Sequence, residues 1–448
     1  MQFDLNRAKE LLKRAEKRGA TGGDLIVVEG DSFSAQVRLK EVEKISNARG
    51  KSLGLRLFFG NRSAITSTSD LSPASLDRLL DDTCTLAQIA AEDTFSGLPA
   101  PELLAKSFPE LDLVDTEVEK IPIEQKIDLA RRAEQAALEQ DPRLTNSEGA
   151  DFGHYHTFVL YAASNGFQGH YETTGASLSA MPIAVQDGQM QRDYWYSSRR
   201  KLKDLESPES IGRTAAIRTL RRLGARKVTT QQVPVVFDPQ LAASLLGHLS
   251  SAVSGYSIYK GASFLIDQVG NPIASSGVTV YDDPTLRSGL GSRPFDGEGL
   301  PSYRKTVVEN GVLKTYLLDT YSGKKLGLPS TGNAVRGIGD PPSVGSSNFH
   351  MKPGQYTPEE IIRSVKSGLY VTELIGFGVN SVTGDYSRGA VGLWIENGEL
   401  AYPVEEITIA GNLKEMFRQI EMVGNDLDPW RKTAAPTLKI SRMTVAGN

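Results

Sequence analysis

The chain has 448 residues, of which 39% are hydrophobic and 23% are charged, a composition that supports folded domains and excludes wholesale disorder. Its 50 Lys and Arg residues nearly balance 54 Asp and Glu residues, which gives a formal net charge of −4. This balance argues against a dedicated nucleic-acid-binding or membrane-surface protein, because those classes carry a basic excess.

A single cysteine and the lack of long apolar runs set the expected compartment. Cys84 is the only cysteine, so no intrachain disulfide and no cysteine-based zinc cluster can form. The N-terminal segment, residues 1–7, has no apolar signal core, and no run approaches the ~18 apolar residues of a transmembrane helix. We therefore expect a cytoplasmic protein that does not enter a membrane.

The first part of the chain predicts two helices around a group of strands. Apolar residues recur at helical spacing from Leu5, and Gly19 stands where a C-terminal cap belongs. A Ser-Pro pair at 72–73 starts a second helix, which carries Cys84 on its apolar face and runs to about residue 91. This position predicts a buried structural thiol. The strands predicted between the two helices are Asp24–Val28, Ser34–Leu39 and Leu53–Phe59.

The middle part follows a connection without periodic pattern at residues 93–122. Asp187 and Gly188 form the centre of a predicted tight hairpin, and a buried strand at Val233–Phe237 begins the last part. Helices are predicted at Ile123–Gln140 and from Ser207 to Gly224. The predicted domains are residues 1–110, 111–225 and 226–448.

The last part repeats one hairpin signal, since an Asn-Gly pair occurs at both 310–311 and 397–398. Thr357 and Glu360 predict a capping box at the start of a helix that Gly368 would close. Long Gly-, Ser- and Pro-rich loops, expected to be functional or mobile, occupy residues 254–299 and 330–347. Strands mixed with a few helices, without strict alternation, predict an α+β fold with antiparallel sheets, an N-terminal α/β region and a larger β-rich C-terminal domain.

The usual motifs of hydrolases and nucleotide-binding proteins are missing. There is no Gly-x-Ser-x-Gly elbow, no Walker loop and no His-Glu-x-x-His helix. His154 and His156 lie two apart on a predicted strand, so they and the nearby His170 offer one possible metal site. Exposed or hydrogen-bonded histidines are the simpler interpretation. His248 and His350 are interpreted as ordinary packed histidines.

Four long stretches carry a resemblance to a known family. They lie at residues 311–322, 330–334, 382–390 and 402–413, and the third reads Val-Thr-Gly-Asp-Tyr-Ser-Arg-Gly-Ala. Weaker similarity extends to the first helix. The chain resembles the TldD/PmbA family, also known as modulators of DNA gyrase.

This resemblance implies a metalloprotease built from two related subunits. One subunit holds zinc on a His-Glu-x-x-x-His helix with a later cysteine, and zinc lowers the pKa of its bound water. The other subunit, of the TldE type, lacks these ligands. Together they cleave unfolded peptides, including the leader segments of modified peptide precursors. The resemblance therefore implies a TldD-like zinc-bearing paralogue and an unfolded peptide as partners.

The resemblance places the zinc helix at residues 239–253. The two histidines then correspond to Gly247 and Ala252 and the glutamate to His248, while Thr433–Pro436 stands where the cysteine belongs. Glycine and alanine offer no ligand atom. The chain is therefore expected to be the non-catalytic, TldE-like subunit, inactive alone, without a metal or cofactor of its own and with zinc in its partner.

Peptide binding by such a subunit would use an extended backbone added to a sheet edge. The candidates for this groove or for the subunit interface are Asp319, Asn333, Asp385, Tyr386 and Arg388. For Asp385 and Arg388 the alternative is a mutual ion pair that holds a loop.

Three other functions stay open at this point. The first is a stand-alone homodimeric peptide-binding or regulatory module without hydrolysis. The second is direct modulation of DNA gyrase, against which the weak acidity counts. The third, a metallopeptidase in its own right, requires the imidazoles of His154, His156 and His170 to converge on one metal.

Overall fold

The computed structural model describes residues 3–447, so Met1 and Gln2 of the segment examined for a signal lie outside the described residues. The fold is α+β, with mostly antiparallel sheets packed against helices. One large sheet builds the N-terminal half, and a six-stranded sheet, a five-stranded sheet and a small two-stranded sheet build the C-terminal half. This confirms the predicted fold class. No helix in the described range is long and apolar enough to cross a bilayer.

The N-terminal half contains four α-helices and seven strands. The helices are α1 (Leu5–Lys17), α2 (Pro73–Ile89), α3 (Ile123–Leu138) and α4 (Pro208–Leu220). The strands are β1 (Gly22–Arg38), β2 (Glu41–Phe59), β3 (Arg62–Thr68), β4 (Leu144–Ala163), β5 (Gln168–Gln186), β6 (Gln189–Arg192) and β7 (Trp195–Arg199). Short 3₁₀ helices occupy Pro101–Leu103, Val118–Lys120 and Leu202–Asp204.

The N-terminal sheet has the order β3-β2-β1-β4-β5-β6, with β7 also paired to β5. Strand β1 therefore pairs with β4, from a region assigned to a different predicted domain. The predicted boundary at 110/111 does not separate two sheets. Cys84 of α2 is buried, as predicted, and burial raises the pKa of its thiol.

Two predicted strands are one in the structure. The sequence predicts separate strands at residues 24–28 and 34–39, because the polar run between them, Glu29–Ser32, lacks apolar alternation. In the fold, β1 continues through this run because its backbone pairs with β2 on one side and β4 on the other. Backbone pairing on both sides thus overrides a weak local propensity.

The C-terminal half contains five short or medium helices and thirteen strands. The helices are α5 (Pro239–Ala252), α6 (Gly255–Tyr259), α7 (Thr320–Leu326), α8 (Pro358–Arg363) and α9 (Leu413–Arg418). The strands are β8 (Gln231–Phe237), β9 (Val280–Asp282), β10 (Lys305–Glu309), β11 (Val312–Leu313), β12 (Ala334–Val335), β13 (Ser343–Val344), β14 (Phe349–Met351), β15 (Ser367–Ile375), β16 (Asp385–Glu396), β17 (Glu399–Asn412), β18 (Ile420–Val423), β19 (Thr433–Ala434) and β20 (Leu438–Ala446).

The six-stranded sheet has the order β17-β16-β15-β8-β20-β18, and β17 also pairs with β20. This extra pairing joins five strands into a closed ring, whose interior contributes to the largest hydrophobic core of the chain. The five-stranded sheet has the order β11-β10-β9-β14-β19, and β12 pairs with β13. Helix α5 packs between these sheets, against β14, β15 and β19.

Several predicted local signals in this half are confirmed, and one is wrong. Asn310 and Asn397 adopt positive φ in the two predicted hairpins, and Thr357 forms a complete capping box with Glu360. Gly368, however, does not close α8, which ends at Arg363. It lies in β15, where a Cβ would come within 2.5 Å of the Pro234 carbonyl oxygen. The glycine serves close packing of two strands.

Candidate functional site

The helix expected to correspond to the zinc helix is α5, and a carboxylate caps its N-terminus. The Asp238 carboxylate accepts hydrogen bonds from the backbone N–H groups of Gln240 and Leu241, which makes it an N-cap. The same carboxylate lies 3.1 Å from Nη1 of the buried Arg218 on α4. Helix α5 is therefore held to the N-terminal half of the molecule at its first turn.

The three zinc-motif positions differ in their surroundings. Ala252 is buried, and its carbonyl oxygen accepts a 2.6 Å hydrogen bond from Ser263 Oγ. Gly247 borders open space, because a Cβ there would meet no atom within 4 Å. Neither residue offers a ligand atom. His248 is the one position of the three with a side chain able to bind a metal.

His248 contacts Tyr386 and feels the charge of Arg388, two residues predicted to line a groove. We call His248, Tyr386 and Arg388 the α5 cluster. The His248 and Tyr386 rings meet edge to face, with centroids 6.1 Å apart. Burial lowers the pKa of His248, and the positive charge of Arg388 lowers it further. A divalent cation at His248 would meet the same repulsion from Arg388.

The α5 cluster contains polar atoms that the fold leaves without partners. His248 Nε2, Tyr386 Oη and Arg388 Nε are buried and make no hydrogen bond with any described residue. Arg388 Nη2 makes one long contact, 3.5 Å from the Leu374 carbonyl oxygen. Burial also raises the pKa of the Tyr386 phenol, so the ring is neutral. The cluster is thus neutral or positive, which is unsuited to a metal cation.

Asp385 does not belong to this cluster. Its carboxylate accepts hydrogen bonds from Thr383 Oγ1 at 2.7 Å and Asn412 Nδ2 at 3.1 Å, and these lower its pKa. Among the described residues it forms no ion pair with Arg388, whose guanidinium contacts the Leu374 carbonyl oxygen instead. The alternative interpretation of an Asp385–Arg388 pair is therefore wrong. Asp385 fixes the turn between β15 and β16 through its neighbours instead.

The segment expected to stand in place of the cysteine ligand lies beside α5. Strand β19, Thr433–Ala434, pairs in parallel with β14 and packs beside α5. His350 on β14 is held by this pairing, with its Nε2 2.7 Å from the Arg431 carbonyl oxygen. Burial lowers the pKa of His350. The absent cysteine and the absent histidines thus belong to one place in the fold.

Asp319 and Asn333 hold local structure. Asp319 caps α7, where its carboxylate accepts a 2.7 Å hydrogen bond from the Ser322 N–H. The fully buried Asn333 donates from Nδ2 to Asp282 at 2.8 Å and to the Gly345 carbonyl oxygen at 3.1 Å. Their hydrogen bonds do not reach the α5 cluster. The role of the five residues in a groove or interface therefore stays a prediction, and no hydrogen bond links these two to Tyr386 or Arg388.

The histidines at 154, 156 and 170 do not converge. His154 Nε2 lies 2.9 Å from Lys126 Nζ, and burial lowers the pKa of both groups. His156 lies between the carboxylates of Glu119 and Glu172, while the His170 ring is tilted against that of Phe158, with centroids 5.8 Å apart. Across residues 3–447, one group of three possible ligands comes within 4.8 Å: Asp31, Glu119 and His156.

A cavity without any signal in the sequence lies between the two halves of the molecule. It encloses 380 Å³, and the residues that matter for its chemistry are Arg56, Tyr256, Tyr259, Glu298, Asp319 and Tyr321. We call it the interdomain cavity. Its residues come from β2, α6, α7 and the loops around them, so no local pattern could have indicated it.

Arg56, which lines the interdomain cavity, belongs to a buried ion cluster. Asp24 binds Arg56 and Arg336, with closest N···O distances of 2.5 Å to each. Burial alone would raise the pKa of Asp24, but the two guanidinium groups hold it below its usual value. We call these three residues the Asp24 cluster. It joins β1 and β2 to the loop after β12.

Comparisons with known sequences and with solved structures point to the same family. Sequence models of the PmbA/TldA metallopeptidase family match in three consecutive pieces: domain 1 at residues 23–87, the central domain at 116–223 and the C-terminal domain at 230–447. Metalloprotease PmbA of Escherichia coli O157:H7 is 39% identical over 426 residues, which cover 95% of this chain and 92% of that protein.

Two proteins of one Buchnera aphidicola strain, from Acyrthosiphon pisum, resemble the chain to different extents. Its metalloprotease PmbA homolog is 33% identical over 99% of this chain and 97% of its own length. Its metalloprotease TldD homolog is 30% identical over 46% of this chain and 44% of its own length.

Solved structures share the whole fold. A crystal structure from Bacteroides thetaiotaomicron VPI-5482, named for modulation of DNA gyrase, is 30% identical with a TM-score of 0.92 and full coverage of both chains. TldE from Thermococcus kodakarensis has a TM-score of 0.89 at 24% identity, over 98% of this chain and 99% of its own. The chain therefore belongs to the PmbA/TldD metallopeptidase family.

Proposed function

We propose that the chain is the non-catalytic partner subunit of a TldD/TldE-type heteromeric metalloprotease that cleaves unfolded peptides or leader peptides in the cytoplasm. The observation that carries the proposal is helix α5, where Gly247 and Ala252 offer no ligand atom. Arg388, against His248, adds a positive charge where a zinc ion would lie. Zinc and water activation would then belong to the paralogue.

The relatives support this division of roles. One Buchnera strain has both a PmbA homolog and a TldD homolog, and this chain resembles the PmbA homolog along nearly its full length. The TldE structure has the same fold. A pair of paralogues that share one fold is a natural basis for a heteromer in which one member keeps the metal.

An exposed strand edge offers a surface for an extended peptide. Residues 41–50 of β2 are exposed and pair with β1, while β3 covers only residues 53–59. Val42 and Ile45 are 40% and 50% exposed on this edge. A peptide added as a further strand would gain main-chain hydrogen bonds without a sequence requirement. We place peptide binding here.

The decisive experiment measures hydrolysis of an unstructured peptide by the chain alone, by a TldD-like zinc-bearing paralogue alone, and by the mixture, with and without chelator. We expect chelator-sensitive cleavage in the mixture and none by this chain alone. Metal analysis of the purified chain should find no stoichiometric zinc. Cleavage by the pure chain would overturn the proposal, and a mixture no faster than the paralogue would favour the stand-alone homodimeric module.

The strand edge is tested in the same assay. The double variant Val42→Asp, Ile45→Asp should slow cleavage by the mixture, because two new charges oppose addition of an apolar strand. The matched control is Ile89→Asp, which changes an apolar residue 76% exposed on α2. Equal rates for the two variants would remove this edge from the proposal.

A further inference from the structure

The interdomain cavity is large enough to bind a small molecule or a side chain. Its 380 Å³ lie between β2 and β3 on one side and α6, α7 and β13 on the other. Tyr256 is 55% exposed whereas Glu298 is 1% exposed, so tyrosine stands at the mouth and carboxylate at the floor. Cavities of roughly this volume are typical of small-ligand sites.

The charge of the wall is negative. Asp93, Glu298 and Asp319 all line the interdomain cavity. One arginine, Arg56, faces them, but its Nε and Nη2 atoms both contact the Asp24 carboxylate, at 3.2 and 2.5 Å. Because Arg336 also binds Asp24, the Asp24 cluster carries one net positive charge against three carboxylates. An entering group of positive charge is favoured.

The mouth is aromatic. Tyr259 makes edge-to-face contacts with Tyr256 and Tyr321, with centroids 5.4 and 5.8 Å apart. The chain already places ammonium groups on these rings, since Lys260 Nζ lies 5.6 Å from the Tyr259 centroid and Lys325 Nζ lies 5.4 Å from that of Tyr321. Because these ammonium groups belong to the chain itself, the tyrosines offer an entering molecule apolar ring surface, and the carboxylates select its charge.

Glu298 at the floor has a vacant acceptor. Among the residues described, its carboxylate accepts one hydrogen bond, 2.8 Å from the Thr320 N–H to Oε2. Burial, and then the neighbouring Asp296, raise the pKa of Glu298 to about 7. The charged groups that act on it are Arg56, Asp296 and Asp319. A buried carboxylate with spare acceptor capacity is costly unless a donor reaches it.

We propose that the interdomain cavity binds an alkylammonium group, with the ammonium at Glu298 and the alkyl chain between the tyrosines at the mouth. Two sources supply such a group: a free amine and a lysine side chain of a bound peptide. The second source rests on the proposed function, and the first does not. Neither the α5 helix nor the strand edge of β2 takes part in this site.

The test is a ligand-observed NMR titration of the full chain with pentylamine, with pentanol as the neutral analogue, at pH 6 and pH 8. We expect binding of pentylamine and none of pentanol. Affinity should be up to about tenfold higher at pH 8, because Glu298 becomes ionised between these values. A lysine-containing pentapeptide and its norleucine analogue form the second arm and identify the source of the ammonium.

Two variants identify the groups. Glu298→Gln should weaken pentylamine binding at least about tenfold and abolish its pH dependence. Tyr259→Leu should weaken binding but keep the pH dependence, so the two variants distinguish the effect of the ring from that of the carboxylate. This second variant also tests the site if Glu298→Gln does not fold. Glu10→Gln, on the exposed face of α1, is the matched control.

Each outcome decides the question. Binding of pentylamine alone assigns a free amine, and binding of the lysine peptide but not its norleucine analogue assigns a side chain. Failure of both ligands, or equal affinity in Glu298→Gln and the unchanged chain, overturns the inference. Pentylamine binding does not require a paralogue or hydrolysis, so its loss and the failure of the mixed-subunit assay are independent results.

Discussion

The α5 cluster and the interdomain cavity are two buried polar regions whose charged side chains differ in sign. In the α5 cluster the charge of Arg388, together with burial, lowers the pKa of His248, and no carboxylate pairs with Arg388 among the described residues. In the interdomain cavity, carboxylates outnumber the cations and one of them, Glu298, keeps a free acceptor. The first region therefore has a positive charge beside the position at which the family resemblance would place a metal, and the second has an excess of carboxylates.

The largest effect on stability near the interdomain cavity is expected from a change in the Asp24 cluster. Asp24→Asn should lower the free energy of unfolding by about 3–5 kcal/mol, because it leaves Arg56 and Arg336 buried without a counter-charge. Urea denaturation measures it. Asp81→Asn, which breaks an exposed pair with Arg18, is the control and should cost less than about 1 kcal/mol. Equal costs would mean that the Asp24 cluster is hydrated.

Glu298 gives the cavity a stability that depends on pH. Its pKa is raised in the folded state, to about 7, so its contribution is fully present below the unfolded pKa and is lost as pH rises through 7. Glu298→Gln should match the wild type near pH 4 and be about 3 kcal/mol more stable above pH 7. Denaturation at several pH values checks this, and a pH-independent difference would contradict it.

A substitution of Tyr386 tests the α5 cluster and should have a smaller effect on the free energy of unfolding. Its hydroxyl has no partner in the described part of the chain, so Tyr386→Phe should raise the free energy of unfolding by about 1 kcal/mol. Tyr316→Phe is the matched control, because that hydroxyl donates a 2.8 Å hydrogen bond to the Leu265 carbonyl oxygen, and it should lose about 1 kcal/mol. Destabilisation by both changes would reveal a water partner for Tyr386.

Gly247 gives the smallest expected effect. Gly247→Ala should stabilise the chain by about 0.5–1 kcal/mol, since a methyl group meets no atom within 4 Å and glycine weakens a helix interior. Gly212→Ala on α4 is the contrasting control, because its Cβ would lie 2.2 Å from the Ala133 carbonyl oxygen. Thermal unfolding separates them. A destabilising Gly247→Ala would show that the open space is filled by another chain.

Local sequence signals were sufficient to predict those features of the structure that depend only on neighbouring residues. The Asn-Gly turns at 310–311 and 397–398 and the capping box of Thr357 and Glu360 depend on backbone geometry within four residues. The continuous strand β1 depends on pairing with residues more than a hundred positions away, and the pattern within it could not predict that.

The candidate site was predictable to a different extent in its two regions. Family resemblance placed Gly247, His248 and Ala252 on one helix, and the structure has them on α5. Contact between His248 and Tyr386 joins segments far apart in sequence, so spacing could not indicate it. The interdomain cavity combines β2, α6 and α7, and Glu298 alone in a loop gave no sign of its burial.

The closed ring of strands in the C-terminal half sets an order on folding during synthesis. Strand β8 pairs with β20, and β20 is the last strand of the described chain. The ring can therefore close only after β20 has been synthesised, and until then β8 and β17 each lack a neighbour. The N-terminal sheet, complete once β7 has left the ribosome, has no such delay. Chains interrupted near the C-terminus would expose open strand edges, which are sites of aggregation.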